Sequence, residues 1–193
     1  QINNLIDPIK LFQNYLWETG ISSSNISLIE DLIKDIKKNS LNKKYDNVLE
    51  IASNDGSCLK ILKEKLKSKV IGVDPAKNIS IEANKNNIFT LNNFFSYKYS
   101  KYIKRNFGTF DICLARNMIA HVHDPVDIFK GVDNLLNESG LFILEFPHLL
   151  NIYQQTQYDN VFHEHIGYHS LKSINDILKK NNLILSNVEK INS

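Results

Sequence analysis

Apolar positions along the chain change rhythm repeatedly, and each change marks an element. Val48, Leu49 and Ile51 form a short apolar run that breaks into Ser53-Asn54-Asp55-Gly56, the pattern of a buried strand bounded by a turn. Leu59, Leu62 and Leu66 then recur on one face of a helix. A second apolar run, Val70 to Val73, ends in Asp74-Pro75. The alternation continues with a helix over Ile79 to Asn86, a strand over Ile88 to Leu91, a basic aromatic helix over Tyr97 to Phe107 and a strand over Phe110 to Leu114. Asp124-Pro125 opens a helix that buries Ile128, Phe129, Val132, Leu135 and Leu136 and ends over Asn137 to Gly140. A fifth strand over Leu141 to Phe146, a helix capped by Ser170 or Ser173 and a sixth strand over Leu183 to Val188 complete the series. Upstream, Ser27-x-x-Glu30 predicts a capping box for a helix carrying Ile29, Leu32, Ile33 and Ile36 and ending near Asn39. Strands alternating with helices predict an α/β fold, a Rossmann-like, doubly wound, mostly parallel sheet.

In such a sheet ligands sit outside the carboxyl ends of the strands. The loop after the first strand narrows the choice of ligand. A dinucleotide needs bare backbone against its pyrophosphate, hence G-x-G-x-x-G. Here that loop has Ala52 and a single glycine, Gly56, and it carries Glu50 and Asp55, which repel phosphate. A ligand with an adenosine at one end and cationic groups at the other fits better, and S-adenosylmethionine is such a ligand. Asp74, at the tip of the second strand, is then placed to accept hydrogen bonds from both ribose hydroxyls. The competing reading is that Glu50 and Asp55 only favour a helix N-terminus. Asn92-Asn93-Phe94-Phe95 follows the third strand, where an amide such as that of Asn93 reads the adenine edge, or the stretch is simply a turn with buried aromatics.

At 193 residues the chain is expected to form one domain, 41–193, preceded by an N-terminal helical or lid segment, 1–40. The aromatic stretch Pro8 to Trp17 within that segment is either a lid over the cofactor or a piece packed on the sheet edge. A net charge of +2 calls for no nucleic-acid partner. Two cysteines, Cys58 and Cys113, are too few for a disulfide framework and lack the spacing of a zinc site. No apolar run reaches the roughly 18 residues of a membrane span, so a cytoplasmic protein is expected. The chain begins at Gln1, and a fragment of a longer protein is expected.

All six histidines fall between His121 and His169, after the fourth and fifth strands and on the rim of the cofactor loop. In Phe162-His163-Glu164-His165 an extended backbone points His163 and His165 one way and Glu164 the other. Three readings stay open: a general base oriented by a carboxylate, a metal site from His121, His123, His163 and His165, and structural histidines bonded to backbone.

Together, Glu50-Ile51-Ala52-Ser53-Asn54-Asp55-Gly56, Ala115-Arg116-Asn117-x-x-Ala120-His121-Val122, Glu145-x-Pro147 and His163-Glu164-His165 resemble the class I S-adenosylmethionine-dependent methyltransferases of the sugar C-methyltransferase type. The likeness runs from about Tyr15 to Asn192. It implies the class I methyltransferase fold without its last strand. It also implies a cofactor site of Tyr15, Glu50, Ala52, Asn54, Asp55, Gly56, Asp74, Pro75, Asn93, Ala115, Arg116 and Asn117, S-adenosylhomocysteine as product, and no metal. His165 would be the base, Glu164 would lie near the reacting carbon or the sugar, and His163 and His121 would complete the catalytic set. The acceptor would be a sugar nucleotide or glycan precursor. The chain departs from that family in lacking an N-terminal cysteine-rich zinc module, in stopping before a seventh strand and C-terminal domain, and in having Phe162 where tyrosine is usual. Phe162 leaves room for O-methylation of a glycan or a phosphorylated small molecule. A nicotinamide oxidoreductase and a cofactor-binding domain without activity are the other classes, the first opposed by the missing glycines.

Overall fold

The structure, a computed structural model, describes residues 7–12, 23–39 and 43–191. Five parallel strands, β1 (Asn47–Ile51), β2 (Lys69–Asp74), β3 (Thr90–Asn92), β4 (Phe110–Arg116) and β5 (Leu136–Glu145), lie in the order β3-β2-β1-β4-β5. The helices are α1 (Pro8–Phe12), α2 (Ser23–Asn39), α3 (Ser57–Leu66), α4 (Lys77–Lys85), α5 (Tyr97–Phe107), α6 (Pro125–Leu135), α7 (Leu149–Gln154) and α8 (Leu171–Lys180).

Alternate strand residues feed two cores, which is why the strands look continuously apolar. Leu49, Ile51, Cys113 and Ala115 pack with Ile103 of α5, Ile128, Phe129 and Val132 of α6 and Ile174 and Leu178 of α8. Val48, Ile112 and Leu114 point the other way, onto Ile29, Ile33 and Ile36 of α2, Leu59 and Leu62 of α3 and Ala83 of α4. Strand order reverses between β1 and β4, so the loops after those two strands form the switch point where such sheets hold ligands.

Four sequence expectations need correcting. Ser27 and Glu30 do not open a helix: α2 already runs from Ser23, a turn earlier, so both residues lie inside it, where they are exposed. The third strand is Thr90–Asn92, since Ile88 donates its N–H to the Ala83 carbonyl and closes α4 instead. The fifth strand begins at Leu136, which pairs with Phe110, and Asn137 is held beside β4 by donating to Asp111 Oδ1 at 2.6 Å. Leu183 to Val188 is not a strand. Among the described residues no strand lies beside it, and Ile184 is 90% exposed.

The predicted caps otherwise form. Asp124 accepts the Asp127 N–H with Pro125 in the first turn, and Ser170 and Ser173 close a reciprocal capping box on α8. Among the described residues no helix is long and apolar enough to cross a membrane.

Candidate active site

The turn after β1 is built from left-handed backbone. Ala52, Asn54 and Gly56 have φ of 55, 51 and 77°. Ala52 and Asn54 are not glycines, and such a conformation costs each of them on the order of 1 kcal/mol. Gly56 has no substitute: a Cβ there would stand 2.8 Å from Ile88 Cγ2. The turn is pinned to β2, with Ala52 N–H donating to the Val73 carbonyl at 2.8 Å and Asn54 N–H to Asp74 Oδ2 at 2.9 Å. A fourth left-handed residue, Asn117 (φ 51°), stands at the end of β4 across the switch point. Strain concentrated at both central strand ends is the mark of a site.

The two acids, Glu50 at the end of β1 and Asp55 in the turn, part ways. Asp55 Oδ1 accepts the Ser57 N–H at 3.0 Å, so this carboxylate does serve the start of α3. Glu50 caps nothing. It is 3% exposed and its Oε2 has no partner. Burial, opposed by the neighbouring Arg116 charge and a hydrogen bond with Cys58, pushes the Glu50 carboxyl up to about 8. Ser53 Oγ beside it is also buried without a partner.

Arg116 is the buried cation of this rim. Its Nε donates to Glu145 Oε2 at 2.7 Å, while Glu145 Oε1 accepts Asn117 Nδ2 at 3.0 Å and the Glu145 carbonyl accepts the Asn117 N–H at 2.8 Å. Arg116 and Glu145 are register partners on β4 and β5. Burial works against the Arg116 charge, and Glu145 overrides it, holding the guanidinium above its ordinary value. Glu145 thus accounts for an acid inside an apolar run. Its part in the site was not among the sequence expectations, and neither was Cys58's place against Glu50.

Asp74 is 6% exposed, and burial raises its pKa against two backbone N–H donors, Asn54 on Oδ2 and Ala76 on Oδ1 at 2.8 Å. Each oxygen retains a lone pair. Pro75 follows, half-buried, and Asn93 is exposed with its N–H on the Asp74 carbonyl. Asn92, the other amide of that stretch, ties the region together by donating Nδ2 to the carbonyls of Asp74 and Pro75. Ala115 is fully buried beneath the rim. Tyr15 lies outside the described residues, as does the second half of the Pro8–Trp17 stretch, but Phe12 of α1 sets its ring edge-on to His121 at 5.6 Å.

His163 and His165 do not face the same way. The segment is a turn, with His165 N–H on the Phe162 carbonyl at 3.0 Å, so His165 is 7% exposed while His163 faces out and Glu164 is half-buried. His165 Nδ1 donates to the Asn160 carbonyl at 2.8 Å, and its ring lies 4.8 Å from that of His121 and 4.0 Å from that of Phe162. His121 Nδ1 donates to the Glu164 carbonyl at 2.9 Å. The orienting partners are therefore backbone carbonyls, and Glu164 contributes its carbonyl to the pair. Burial and then the His165 ring push His121 down to about 4, leaving it neutral at ordinary pH. Ile166 and Gly167 N–H groups both bond the Ala120 carbonyl, locking the histidine turn to the β4 loop.

His148 is structural, accepting the Leu171 N–H on Nε2 at 3.0 Å. Among the described residues no three His, Cys, Asp or Glu side chains are grouped so as to hold a metal ion.

A family profile described as a methyltransferase domain matches residues 24–187. The chain is 29% identical over 182 residues to the C-methyltransferase NovU of Streptomyces niveus, a match covering 94% of this chain and 43% of that protein. The chain thus spans less than half of that relative. A SAM-dependent methyltransferase from Archaeoglobus fulgidus superposes with a TM-score of 0.62 at 17% identity, covering 79% of this chain and 67% of that one. The plantazolicin methyltransferase BpumL, solved with an azole analogue and SAH, gives 0.66 at 13% identity, covering 83% and 65%. Sheet order, switch-point loops and family profile agree: the chain belongs to the methyltransferase-domain family and has the Rossmann-like class I methyltransferase fold.

Proposed function

We propose that this chain is the core of an S-adenosylmethionine-dependent methyltransferase that moves a methyl group to a sugar or nucleotide-sugar acceptor, with His165 as general base. The observation that carries the reading is the tautomer of His165: Nδ1 bonds the Asn160 carbonyl, so the neutral ring keeps its lone pair on Nε2, as a base requires.

The residues at the switch point suit the cofactor. Glu50, with an unpartnered oxygen, and Asp55 offer negative charge for its ammonium and sulfonium. Asp74 offers a spare lone pair on each oxygen for ribose hydroxyls, and Asn93 an exposed amide for the adenine. Ala52, Asn54, Gly56, Arg116 and Asn117 supply the remaining wall, and Ala115, fully buried, backs it from beneath rather than lining it. Once bound, the cofactor provides a methyl carried on positively charged sulfur. The chain's own work is to hold the acceptor in line with it, an effect worth roughly 7–11 kcal/mol in ideal intramolecular cases. His165 then removes the acceptor proton, which adds about 10²–10⁴-fold. His121, neutral and bonded to the Glu164 carbonyl, fixes the turn that carries His165.

The likeness to a C-methyltransferase favours transfer to carbon. A second reading, O-methylation, is favoured by Phe162, whose ring lies tilted against His165 and brings no hydroxyl to stabilise an enolate. The test is transfer from methyl-labelled cofactor to a panel of nucleotide-linked deoxysugars and glycans. Labelled product that is lost in His165→Ala, with cofactor binding intact, is expected. Cofactor binding with no transfer to any acceptor would indicate a non-catalytic domain.

A further inference from the structure

Glu50 is an acid with nowhere to put its charge. It is buried in the sheet, and its Oε2 meets no donor. Each surrounding element contributes a group. From α3 comes the Cys58 thiol, from the turn Asp55, from β2 Asp74 and from β4 Arg116. Arg116 is the cation of this set, and its Nε is committed to Glu145 of β5. An ionised Glu50 would therefore share one guanidinium with Glu145 while facing Asp55 and Asp74.

We propose that Glu50 is a proton-exchanging counter-ion: protonated in the ligand-free domain, it gives up its proton when a ligand bearing an ammonium or sulfonium enters, so cofactor capture is coupled to proton release. This rests on the S-adenosylmethionine reading above. Burial already holds the carboxyl up to about 8. A cation in contact with Oε2 supplies the missing charge partner and draws that value down. Linkage then fixes the sign: affinity rises with pH until about 8 and levels off above it, by up to tenfold per unit where the bound form is fully ionised. Cys58, pushed up by burial, and Arg116, held up by Glu145, keep their protons across that range.

The experiment is calorimetric titration of S-adenosylhomocysteine, which carries the ammonium, into the protein at pH 7 in buffers of different ionisation enthalpy. For the wild type the apparent enthalpy is expected to change linearly with buffer enthalpy, with a slope near one proton released. For Glu50→Gln, its fold checked by circular dichroism, that slope should vanish apart from any contribution of the ligand's own amine, which is common to both proteins. Equal slopes in the two proteins, or a wild-type enthalpy independent of buffer, would overturn the proposal. Should Glu50→Gln fail to fold, wild-type affinity between pH 6 and 9 decides: a rise that levels off near pH 8 supports the coupling, and a flat profile ends it. Failure of the ligand to bind the wild type at all would instead overturn the cofactor reading beneath it.

Discussion

Arg116 gives its Nε to Glu145 and leaves Glu50 with an unpartnered oxygen. The pair is nearly closed to solvent, with the arginine side chain 9% and the glutamate 18% exposed. Breaking a pair of that kind from one side strands a buried charge, at a cost of about 3–5 kcal/mol. Glu145→Ala is expected to lower the unfolding free energy by about 3 kcal/mol in denaturant melts. Glu145→Gln, which keeps an acceptor for Arg116, should lose less.

Glu50 makes stability depend on pH in the opposite sense to an ordinary salt-bridged acid. Its folded value, about 8, lies above the ordinary carboxylate value. The stability it contributes is therefore full below the unfolded pKa and is lost as pH rises through 8, at up to roughly 1.4 kcal/mol per unit between the two values. Thermal melts of ligand-free wild type and Glu50→Gln should diverge between pH 5 and pH 9, with the variant losing less. Parallel melting temperatures would show that Glu50 is ionised throughout.

His121 has the reverse linkage among the histidines. With its folded value pushed down to about 4, the unfolded chain takes the proton first as pH falls below 6.5. Melts should show His121→Phe losing less stability than the wild type between pH 6.5 and pH 4.

Gly56→Ala places a side chain on left-handed backbone and within 2.8 Å of Ile88. Strain of about 1–3 kcal/mol is expected, read as a lower melting temperature together with weaker cofactor binding, since the same turn belongs to the proposed cofactor wall.

The roles proposed for His165 and Asp74 can be separated by measurement. His165→Ala should reduce turnover by about 10²–10⁴-fold with cofactor affinity retained. Asp74→Ala should weaken cofactor binding first, and it also frees the Asn54 and Ala76 N–H groups that its oxygens hold. Measuring affinity and turnover on both variants checks the division.

What the sequence revealed followed local chemistry. The β1 turn was legible because four turn-forming residues, Ser53-Asn54-Asp55-Gly56, follow an apolar run, and the Asp124 and Ser170 caps because caps are local. What it concealed depends on partners distant along the chain. Leu136 joins β5 because Phe110 lies beside it, and Leu183 to Val188 has no strand beside it among the described residues. His163-Glu164-His165 carries no periodicity, so nothing local told a turn from an extended segment, and the carbonyl of Asn160 that fixes His165 has no side-chain signature. Glu145 is an acid in the apolar run Leu141 to Phe146, but its partner emerged only with the register between β4 and β5.

The most direct test titrates the wild-type protein with S-adenosylhomocysteine and, in parallel, with NAD. Two buried or turn-bound acids in a turn with one glycine predict saturable one-to-one binding of the adenosyl ammonium compound and none of the pyrophosphate. Binding of NAD with no response to S-adenosylhomocysteine would contradict it.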